Sequence, residues 1–248
     1  MQIEIFDAIH QQEKTNWWFA GRRRLILKFL SLCGTQPRPR ILDMGCGTGA
    51  MLEDLAPIAT GFGTDVAAVA LQYCQQRGQR KVSFADGTRL PFRENTFDSI
   101  IAMDVIEHIE DDVGVLREFH RVCTGNGLVL ITVPALPWLW TTRDERLAHK
   151  RRYRRGELMQ RAQEAGFRVE KCSYYCAAMF PAFAAVVLWE RLRRRTPDVK
   201  QDVPLPPAWL NMCLFRMLLA EQWLMRWVNY PVGVSLFCML RKSPAATA

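Results

Sequence analysis

Hydrophobic and polar positions alternate along this chain in two distinct patterns. Short apolar runs bounded by turn residues are typical of buried β-strands, and longer stretches with helical periodicity lie between them. The apolar runs predict strands over residues 40–44, 60–65, 81–85, 97–103, 127–133, 169–174 and 232–240. The intervening stretches predict helices over residues 49–56, 67–76, 111–122 and 156–165. This alternation predicts an α/β fold with a doubly wound, mostly parallel Rossmann-like sheet of about seven strands.

The pattern divides the chain into four predicted segments. Residues 1–36 form an N-terminal helical cap, whose helix through Leu32 we expect at the edge of the sheet, and residues 37–174 form the core. Residues 175–230 form a helical insertion, and residues 231–248 hold the last strand and a tail. The insertion is placed before the last strand because an isolated strand needs neighbours that satisfy its backbone groups.

The insertion combines an apolar run with basic residues. Residues 174–189 carry no charge over 16 positions, which is shorter than the roughly 20 residues of a membrane-spanning helix. The arginines that follow it are Arg191, Arg193, Arg194 and Arg195. In the second helical stretch, charges recur every five residues at Arg216, Glu221 and Arg226. This spacing spreads charge around the helix and predicts an apolar lid or pocket wall, with peripheral membrane contact as the alternative.

Charge is divided unevenly between the two parts of the 248-residue chain. Residues 1–142 hold 14 Lys and Arg against 16 Asp and Glu, whereas residues 143–248 hold 19 against 9, which gives +8 overall. A basic half suits an anionic surface such as a phosphate or a lipid headgroup, although solvated arginines on helix faces give the same balance. No RNA-reading motif accompanies the charge, so we expect no nucleic acid partner.

Composition and cysteine spacing indicate the class of protein and the cellular compartment. Hydrophobic residues make up 49% and charged residues 23% of the chain, which excludes a disordered or polytopic membrane protein. The eight cysteines never form a Cys-x-x-Cys pair, so free thiols are expected rather than a zinc site. With no signal-peptide pattern after Met1, these features predict a cytoplasmic protein, with association at the inner face of the membrane as a variant.

The candidate chemistry begins where the first strand ends. The segment ILDMGCGTGAMLEDL places Asp43 and the glycines Gly45, Gly47 and Gly49 at a strand-to-helix junction, where glycine permits a tight turn and close approach of a ligand. The loop also satisfies the dinucleotide fingerprint with its permitted final alanine, so alone it does not identify the ligand. Asp65 ends the next strand 20 residues after Gly45, where a carboxylate can accept hydrogen bonds from ribose hydroxyls. Together these residues indicate a nucleoside.

Two further motifs complete an ordered pattern. Asp86 follows the third strand in FADGTRLPF, and the fourth strand lies within FDSIIAMDVIEHI. In order and spacing, residues 40–174 resemble the class I S-adenosylmethionine-dependent methyltransferase family. The resemblance implies S-adenosyl-L-methionine as cofactor, with its methionine moiety along the glycines, Asp43 near the ammonium group, Asp65 on the ribose and Asp86 on the adenine.

The cofactor-binding residues implied in this way are Asp43, Gly45, Cys46, Gly47, Gly49, Asp65, Val66, Asp86, Gly87, Met103 and Asp104. The last two of these would close the pocket where the fourth strand ends, which is the switch region of an open α/β sheet.

Three other segments extend the resemblance. WWFAGRRR near the start, VPALPWLWTTRDERLAHKRRYRRGEL in the middle and YPVGVSLFCMLRK at the end look like a bacterial methyltransferase subgroup with a tryptophan-rich N-terminal motif. The predicted substrate-binding residues in these segments are Trp17, Trp18, Arg152 and Tyr153. The tryptophans would form an aromatic lid, although packing of an N-terminal helix explains them equally.

The predicted catalytic residues are two histidines. Methyl transfer needs a base only when the acceptor is a hydroxyl or a protonated amine. His108 lies just beyond the fourth strand, and His149, the preferred base, lies after the fifth; a surface histidine among arginines is the alternative for His149. The string Asp104-x-x-Glu107-His108 resembles one that binds a divalent metal in some O-methyltransferases and that also occurs in relatives without metal. The sequence-based assignment contains no metal.

The sequence therefore predicts a methyltransferase that uses S-adenosyl-L-methionine and acts on a small-molecule or lipid-linked acceptor. The predicted acceptor is apolar, and an acceptor that also carries anionic groups is the variant of this prediction. An NAD-dependent oxidoreductase with the same glycine loop is the enzymatic alternative. A non-catalytic cofactor-binding adaptor, whose insertion contacts a membrane or a partner, is the other alternative. The oligomeric state is left open.

Overall fold

The computed structural model describes residues 3–33, 37–193 and 205–243 of the chain. Arg194 and Arg195, which follow the apolar run of the insertion, and most of the proline-rich link after them lie outside the described residues. Within the described part, a seven-stranded sheet carries helices on both faces. The fold class predicted from the sequence is confirmed.

One strand of the sheet runs against its neighbours. In chain order the strands are β1 (Arg40–Met44), β2 (Thr60–Asp65), β3 (Val82–Phe84), β4 (Phe97–Met103), β5 (Cys123–Pro134), β6 (Phe167–Tyr175) and β7 (Ser235–Lys242). Their order across the sheet is β3-β2-β1-β4-β5-β7-β6, with β7 antiparallel to both β5 and β6 and the other pairings parallel. The strand order reverses beside β1 and β4, so their carboxyl ends border the crevice where open α/β sheets bind ligands.

Helices of the described residues connect and cover these strands. In chain order they are α1 (Ile3–Gln12), α2 (Trp17–Cys33), α3 (Ala50–Leu55), α4 (Ala68–Gln76), α5 (Asp112–Val122), α6 (Thr142–Arg146), α7 (Arg155–Glu164), α8 (Phe180–Arg193) and α9 (Ala208–Leu224). Neither α1 nor α6 is predicted by the sequence pattern. Short 3-10 turns over Ile106–His108 and Pro137–Leu139 follow β4 and β5.

The side chains of adjacent residues in β4 pack on opposite faces of the sheet, because side chains alternate in direction along a strand. Ile100 packs in a cluster with Phe119 of α5 and Leu158 of α7. Ile101 packs in a second cluster with Met51 of α3 and with residues of α2. Both isoleucines are fully buried, so β4 is covered on both sides, as parallel strands usually are.

Helix α2 packs against a face of the sheet, which corrects the expected position at the sheet edge. Leu25, Ile26 and Phe29 are buried in the same cluster as Ile101 of β4 and Phe237 of β7. Their spacing forms an apolar stripe along one side of the helix. A stripe of this kind needs a broad apolar surface, which the face of the sheet offers and its edge does not.

Removal of the Phe29 ring tests this packing. Phe29 is 2% exposed, and its ring centroid lies 4.5 Å from that of Phe237. We expect Phe29→Ala to lower the free energy of unfolding by about 3–5 kcal/mol, because truncation leaves a cavity between α2 and the sheet. Urea unfolding measures the loss. Leu32→Ala on the same helix, at a side chain 48% exposed, should change it by less than about 0.5 kcal/mol; equal losses would contradict the arrangement.

The insertion helices α8 and α9 lie between β6 and β7 in the chain, and α9 packs against α2. The Asn211 side chain accepts a hydrogen bond from the Trp17 backbone N–H at 2.9 Å, and Gln222 Nε2 donates to the Gly21 carbonyl at 2.9 Å. Gly21 permits the close approach, because a Cβ at that position would collide with Leu218. Helix α9, the second helix of the insertion, therefore covers α2.

The outer surfaces of α8 and α9 and the turn after α9 carry many apolar side chains. The large exposed ones are Val186, Leu188, Trp189, Leu192, Trp209, Met212, Trp223, Leu224, Trp227 and Val228. Glu221 is buried and accepts backbone N–H bonds from Ala177 and Ala178, whereas Arg216 and Arg226 are exposed. None of the described helices combines the length and the apolarity that crossing a bilayer requires.

Candidate active site

The loop between β1 and α3 has an open side at Gly47. Gly45, Gly47 and Gly49 have φ angles of 71°, 51° and 86°, in the left-handed region that favours glycine. A Cβ at Gly49 would lie 2.9 Å from the Cys74 sulfur, and one at Gly45 would crowd Val105, so these two face protein. A Cβ at Gly47 would meet nothing within 4 Å. The backbone at Gly47 can thus be approached closely by a ligand.

The carboxylate of Asp65, at the end of β2, holds this loop. Its Oδ2 accepts a hydrogen bond from the Gly47 N–H at 2.9 Å, and its Oδ1 accepts one from the Ala67 N–H at 2.9 Å. Burial raises the pKa of Asp65, and the two backbone N–H groups oppose that rise. Each carboxylate oxygen has a further lone pair for a ligand hydroxyl. Val66, the next residue, is 61% exposed.

Asp43, near the end of β1, is a buried carboxyl group without a partner. Its side chain is 1% exposed, and neither oxygen has a hydrogen-bond partner among the described residues. Burial, with the neighbouring Asp65, raises the pKa of Asp43 to about 8, and the Arg22 guanidinium opposes the rise. Buried polar groups are normally paired, so an unpaired one calls for an explanation. A bound cation such as an ammonium group would satisfy both oxygens.

Asp104 follows β4 and joins this strand end to the N-terminal helix. Its carboxylate forms an ion pair with Arg22 of α2 and accepts a hydrogen bond from Thr132 Oγ1 at 2.9 Å. Asp104 also has a positive φ of 54°. The ion pair brings α2 to the strand end that the sequence assigns to the cofactor pocket.

An aromatic pair lies in the same part of the molecule. Trp18 stacks on Tyr175, with ring centroids 5.7 Å apart and planes inclined by 9°. Trp17 meets Trp18 edge to face at 5.7 Å. Met103 packs against the same cluster. The two tryptophans pack against this cluster and are only half-buried, so part of each ring stays accessible; their predicted contact with substrate stays a prediction.

The remaining predicted cofactor residues lie at the ends of β1 and β3. Asp86 is exposed, and its Oδ1 accepts hydrogen bonds from the Thr88 N–H at 2.8 Å and the Thr88 hydroxyl at 2.9 Å. Gly87 is buried, and a Cβ there would lie 2.9 Å from the Met44 methyl group. The Cys46 sulfur lies 3.9 Å from the sulfur of Cys74.

The two predicted catalytic histidines lie together. The rings of His108 and His149 meet edge to face with centroids 4.8 Å apart. His149 Nδ1 lies 2.8 Å from Asp144 Oδ1, and Nε2 lies 4.0 Å from Glu107 Oε1. The His149 side chain is only 9% exposed. His149 is thus held by carboxylates rather than displayed among surface arginines.

Arg152 and Tyr153 are occupied by structural partners. Arg152 donates to both oxygens of Asp144, at 2.8 and 2.9 Å, and to the Ala135 carbonyl. Tyr153 is fully buried, and its hydroxyl donates to Asp112 Oδ2 at 2.6 Å. These placements do not support the predicted substrate contacts, because an enclosed side chain with satisfied partners is not presented to a ligand.

Three residues of the site escape sequence reasoning. The sequence pattern assigns no role to Tyr175, to Asp144 or to Glu13, which lies after α1 in the predicted cap and accepts a hydrogen bond from the Thr48 hydroxyl at 2.6 Å. The spacing Thr141-x-x-Asp144 is a helix-capping signal, and both capping bonds are present at α6. Glu13 and Tyr175 have no local signal, since their contacts come from distant parts of the chain.

Comparison with known proteins adds a family match. Residues 42–131 match the family model described as a methyltransferase domain. Cycloartenol-C-24-methyltransferase 1 of Oryza sativa subsp. japonica is 31% identical over 104 residues, which cover 38% of this chain and 30% of that protein. The tRNA (carboxymethyluridine(34)-5-O)-methyltransferase of Arabidopsis thaliana is 36% identical over 96 residues, which cover 38% of this chain and 23% of that protein. The aligned part spans less than a third of either relative.

Solved structures share the fold. Haemonchus contortus phosphoethanolamine N-methyltransferase 2, solved in complex with S-adenosyl-L-methionine, aligns with a TM-score of 0.55 and 22% identity, over 88% of this chain and 52% of that one. The sheet order is that of a Rossmann-like domain. The methyltransferase-domain match over residues 42–131 and the shared fold together support a class I S-adenosylmethionine-dependent methyltransferase domain with S-adenosyl-L-methionine as cofactor. The narrower tryptophan-rich bacterial subgroup stays a prediction.

Proposed function

We propose that this protein transfers the methyl group of S-adenosyl-L-methionine to a small-molecule or lipid-linked acceptor with an apolar body. The observation that carries the proposal is the unpartnered, buried Asp43 carboxyl beside a glycine loop whose Gly47 faces open space. An amino-acid ammonium group and a close-lying methionine chain fit these two features. Asp65 then accepts from the ribose hydroxyls, and Asp86 and Val66 lie at the adenine end.

The protein's part in the reaction is mainly alignment. The bound sulfonium supplies an activated methyl group, and an acceptor lone pair displaces the sulfur in line. Positioning and exclusion of water supply most of the acceleration in such a displacement. Asp43 and Asp65 fix the donor, while Arg22 and Asp104 tie α2 across the end of β4. The donor is thereby held between the strand ends and helix α2.

The acceptor side of the proposed site is aromatic and basic. Half-buried Trp18, which stacks on the buried ring of Tyr175, offers a flat apolar surface, and Arg22, paired with Asp104, adds a basic group in the same part of the site. His149 has its Nδ1 on Asp144, which leaves Nε2 with a lone pair for an acceptor proton. These features favour an apolar acceptor whose nucleophile is a hydroxyl or an amine. The relatives named above act on a sterol and on a tRNA uridine by their names, so they do not choose the acceptor.

Binding and turnover together test the proposal. Radiolabelled S-adenosyl-L-methionine should bind saturably, and methyl transfer should appear on a panel of apolar hydroxyl and amine acceptors. Tighter binding of NAD than of S-adenosylhomocysteine would favour the oxidoreductase alternative. Cofactor binding without turnover across the panel would favour the non-catalytic adaptor.

A lipid-linked acceptor requires contact with a membrane, and the exposed apolar surface of α8 and α9 supports such contact. We expect the protein to float with anionic liposomes at low salt, since interfacial tryptophan and leucine side chains gain from burial at the headgroup boundary. The double variant Trp189→Ser with Leu192→Ser should lose most of this flotation. Ile58→Ser, an exposed apolar position outside the insertion, is the control. Full recovery of the unaltered protein in the unfloated fraction would reject membrane contact.

A further inference from the structure

A recess with apolar and basic walls lies near the carboxyl end of α2, between this helix, β6, β7 and the turn after α9. Its volume is about 340 Å³, and its walls include Phe29, Leu32, Lys171, Arg226 and Trp227. Leu32 lies ten positions after Arg22, the residue that pairs with Asp104 at the end of β4. Ten residues of helix span about 15 Å. The recess is therefore separate from the strand ends proposed to hold the donor.

An irregularity in the pairing of β6 with β7 turns Lys171 into this recess. Val169 packs against the cluster that contains Ile100, on the face of the sheet opposite α2. A residue two positions later normally points to the same face of a sheet. The register shifts between Val169 and Lys171, however, so that Lys171 lies opposite Met239, which packs in the cluster with α2. A bulge re-aims a side chain in this way, and here it brings an amine to an apolar face.

Two further cations approach the recess. Lys28 lies four residues before Leu32, so both side chains lie on the same side of α2. Burial lowers the pKa of Lys28, and the Arg226 guanidinium lowers it further. Burial and the nearby Arg155 likewise lower the pKa of Lys171. Lys28, Lys171 and Arg226, the basic cluster, thus hold positive charge where their surroundings disfavour it.

The protein itself does not neutralise the basic cluster. None of its three residues forms an ion pair with another described residue. The acidic residue in the wall of the recess, Glu170, accepts hydrogen bonds from Arg168 at 2.9 Å and from Arg241 at 2.5 Å. Lys171 Nζ has only the Val228 carbonyl, at 3.4 Å. An anion from outside the chain is therefore the missing partner of these cations.

The side chains around the basic cluster indicate where this anion comes from. Trp227 is 71% exposed, Trp223 is 61% exposed and Leu32 is 48% exposed. The Arg226 guanidinium lies 5.4 Å from the centroid of the Trp227 ring. A dissolved anion gains nothing from exposed apolar side chains, whereas tryptophan beside basic residues is typical of protein surfaces at the level of lipid headgroups. The two tryptophans also continue the exposed apolar surface of α8 and α9.

We propose that the recess binds the phosphate group of an anionic phospholipid in a membrane surface. Lys28, Lys171 and Arg226 surround the phosphate, and Trp227 lies beside them at the boundary between headgroups and acyl chains. Ammonium and guanidinium groups are the usual protein partners of phosphate. The bound lipid is an anchor and not the acceptor, because the recess lies about 15 Å along α2 from the residue that meets Asp104. The headgroup site rests on the membrane contact proposed above, but not on methyl transfer.

Sedimentation with vesicles tests the site. The full-length protein should bind phosphatidylcholine vesicles that contain phosphatidylglycerol, and the double variant Lys171→Gln with Arg226→Gln should bind them about 25-fold more weakly, since each basic residue near an anionic leaflet contributes roughly fivefold. Arg80→Gln with Arg93→Gln is the matched control. It removes the same charge from exposed residues next to β3 and β4, and it should change vesicle affinity by less than about twofold, because salt screens distant charges.

Four results would overturn the proposal. Equal losses in the two double variants would show that total charge, and not the recess, attracts the vesicles. Equal affinity for vesicles of phosphatidylcholine alone would show that the headgroup charge is not recognised. Release of the protein from vesicles by inorganic phosphate, but not by chloride of equal ionic strength, would assign the recess to dissolved phosphate. Binding of tRNA that the Lys171→Gln, Arg226→Gln variant loses would assign it to nucleic acid.

Fluorescence locates the contact without changing the charge. Brominated phospholipids should quench the tryptophan fluorescence of the vesicle-bound protein, and Trp227→Phe should lose part of this quenching. Quenching that is unchanged in Trp227→Phe would also overturn the proposal, because it would place this ring outside the membrane surface.

Cofactor binding separates failure of this site from failure of the proposed function. The Lys171→Gln, Arg226→Gln variant should bind S-adenosylhomocysteine as the unaltered protein does, which shows that it is folded. Methyl transfer to a dissolved acceptor without any vesicle binding would reject the headgroup site alone. Vesicle binding that depends on the basic cluster, in a protein that binds no S-adenosyl-L-methionine, would support the headgroup site and reject the proposed methyl transfer.

Discussion

Gly47→Arg should abolish binding of S-adenosyl-L-methionine, with an affinity at least about 100-fold below that of the unaltered protein. Gly47 has a φ of 51°, which costs a non-glycine residue about 1–2 kcal/mol. More important, its missing Cβ faces the only open side found among the three loop glycines, so a long side chain would fill the space proposed for the methionine moiety. Equilibrium dialysis with the radiolabelled cofactor measures the loss.

Gly78→Arg is the matched control for this substitution. Gly78 has a φ of 77°, and a Cβ there also meets nothing within 4 Å, but it lies in the turn after α4 and outside the loop. The two variants share the backbone strain and the added charge, so only occupation of the loop differs. Equal affinities in the two variants would show that the glycine loop is not part of the cofactor site.

Asp65→Ala should also weaken cofactor binding, because it removes the carboxylate that accepts the hydrogen bond from the Gly47 N–H.

The strands nearest the site could be predicted from sequence because their signals are local. β1, β2 and β4 have the predicted bounds. β5 begins at Cys123, four residues before its predicted start. Gly125 and Gly127 lie inside β5, where its pairing with β4 is irregular between Phe97 and Ser99, so the apolar run alone does not mark where the strand begins.

Helix α1 illustrates what local patterns miss. Its end is fixed by tertiary contacts: Glu13, the residue after it, pairs with Arg77 at the end of α4 and accepts from the Thr48 hydroxyl in the glycine loop. A short helix has little stability of its own in water, and packing decides whether it forms. The partners lie 35 and 64 positions away, so no window of sequence contains the cause.

The same limit applies to the side chains of the site. Asp43, Asp65 and the loop glycines were predicted because they sit at fixed offsets from predicted strands. The Arg22–Asp104 pair bridges 82 positions and depends on how α2 crosses the sheet. Tyr153 illustrates the same limit: the sequence predicts a substrate contact for it, yet its side chain is fully buried and its hydroxyl donates to Asp112 of α5.

The buried Asp43 carboxyl should make cofactor binding depend on pH. Its pKa is raised to about 8, so the group is mostly protonated at pH 6 and must lose its proton to pair with a ligand ammonium group. Between pH 6 and pH 7, α-amino groups remain protonated. Affinity for S-adenosylhomocysteine should therefore rise over this interval and approach a tenfold gain, the limit set by release of one proton. Calorimetry in buffers of different ionisation enthalpy counts that proton.

Asp43→Asn keeps the shape of the side chain and removes its titration, so it is the discriminating variant. It should bind S-adenosylhomocysteine more weakly at pH 7 and with little change between pH 6 and pH 7. Without ligand, the free energy of unfolding of the unaltered protein should fall as pH rises. The pKa of Asp43 is higher in the folded than in the unfolded state, so the protonated carboxyl stabilises the folded state, and this stabilisation is lost as pH rises to about 8. Asp43→Asn should not show this loss of stability. A variant whose affinity and stability both follow the same pH course as the unaltered protein would show that Asp43 does not meet the ammonium group.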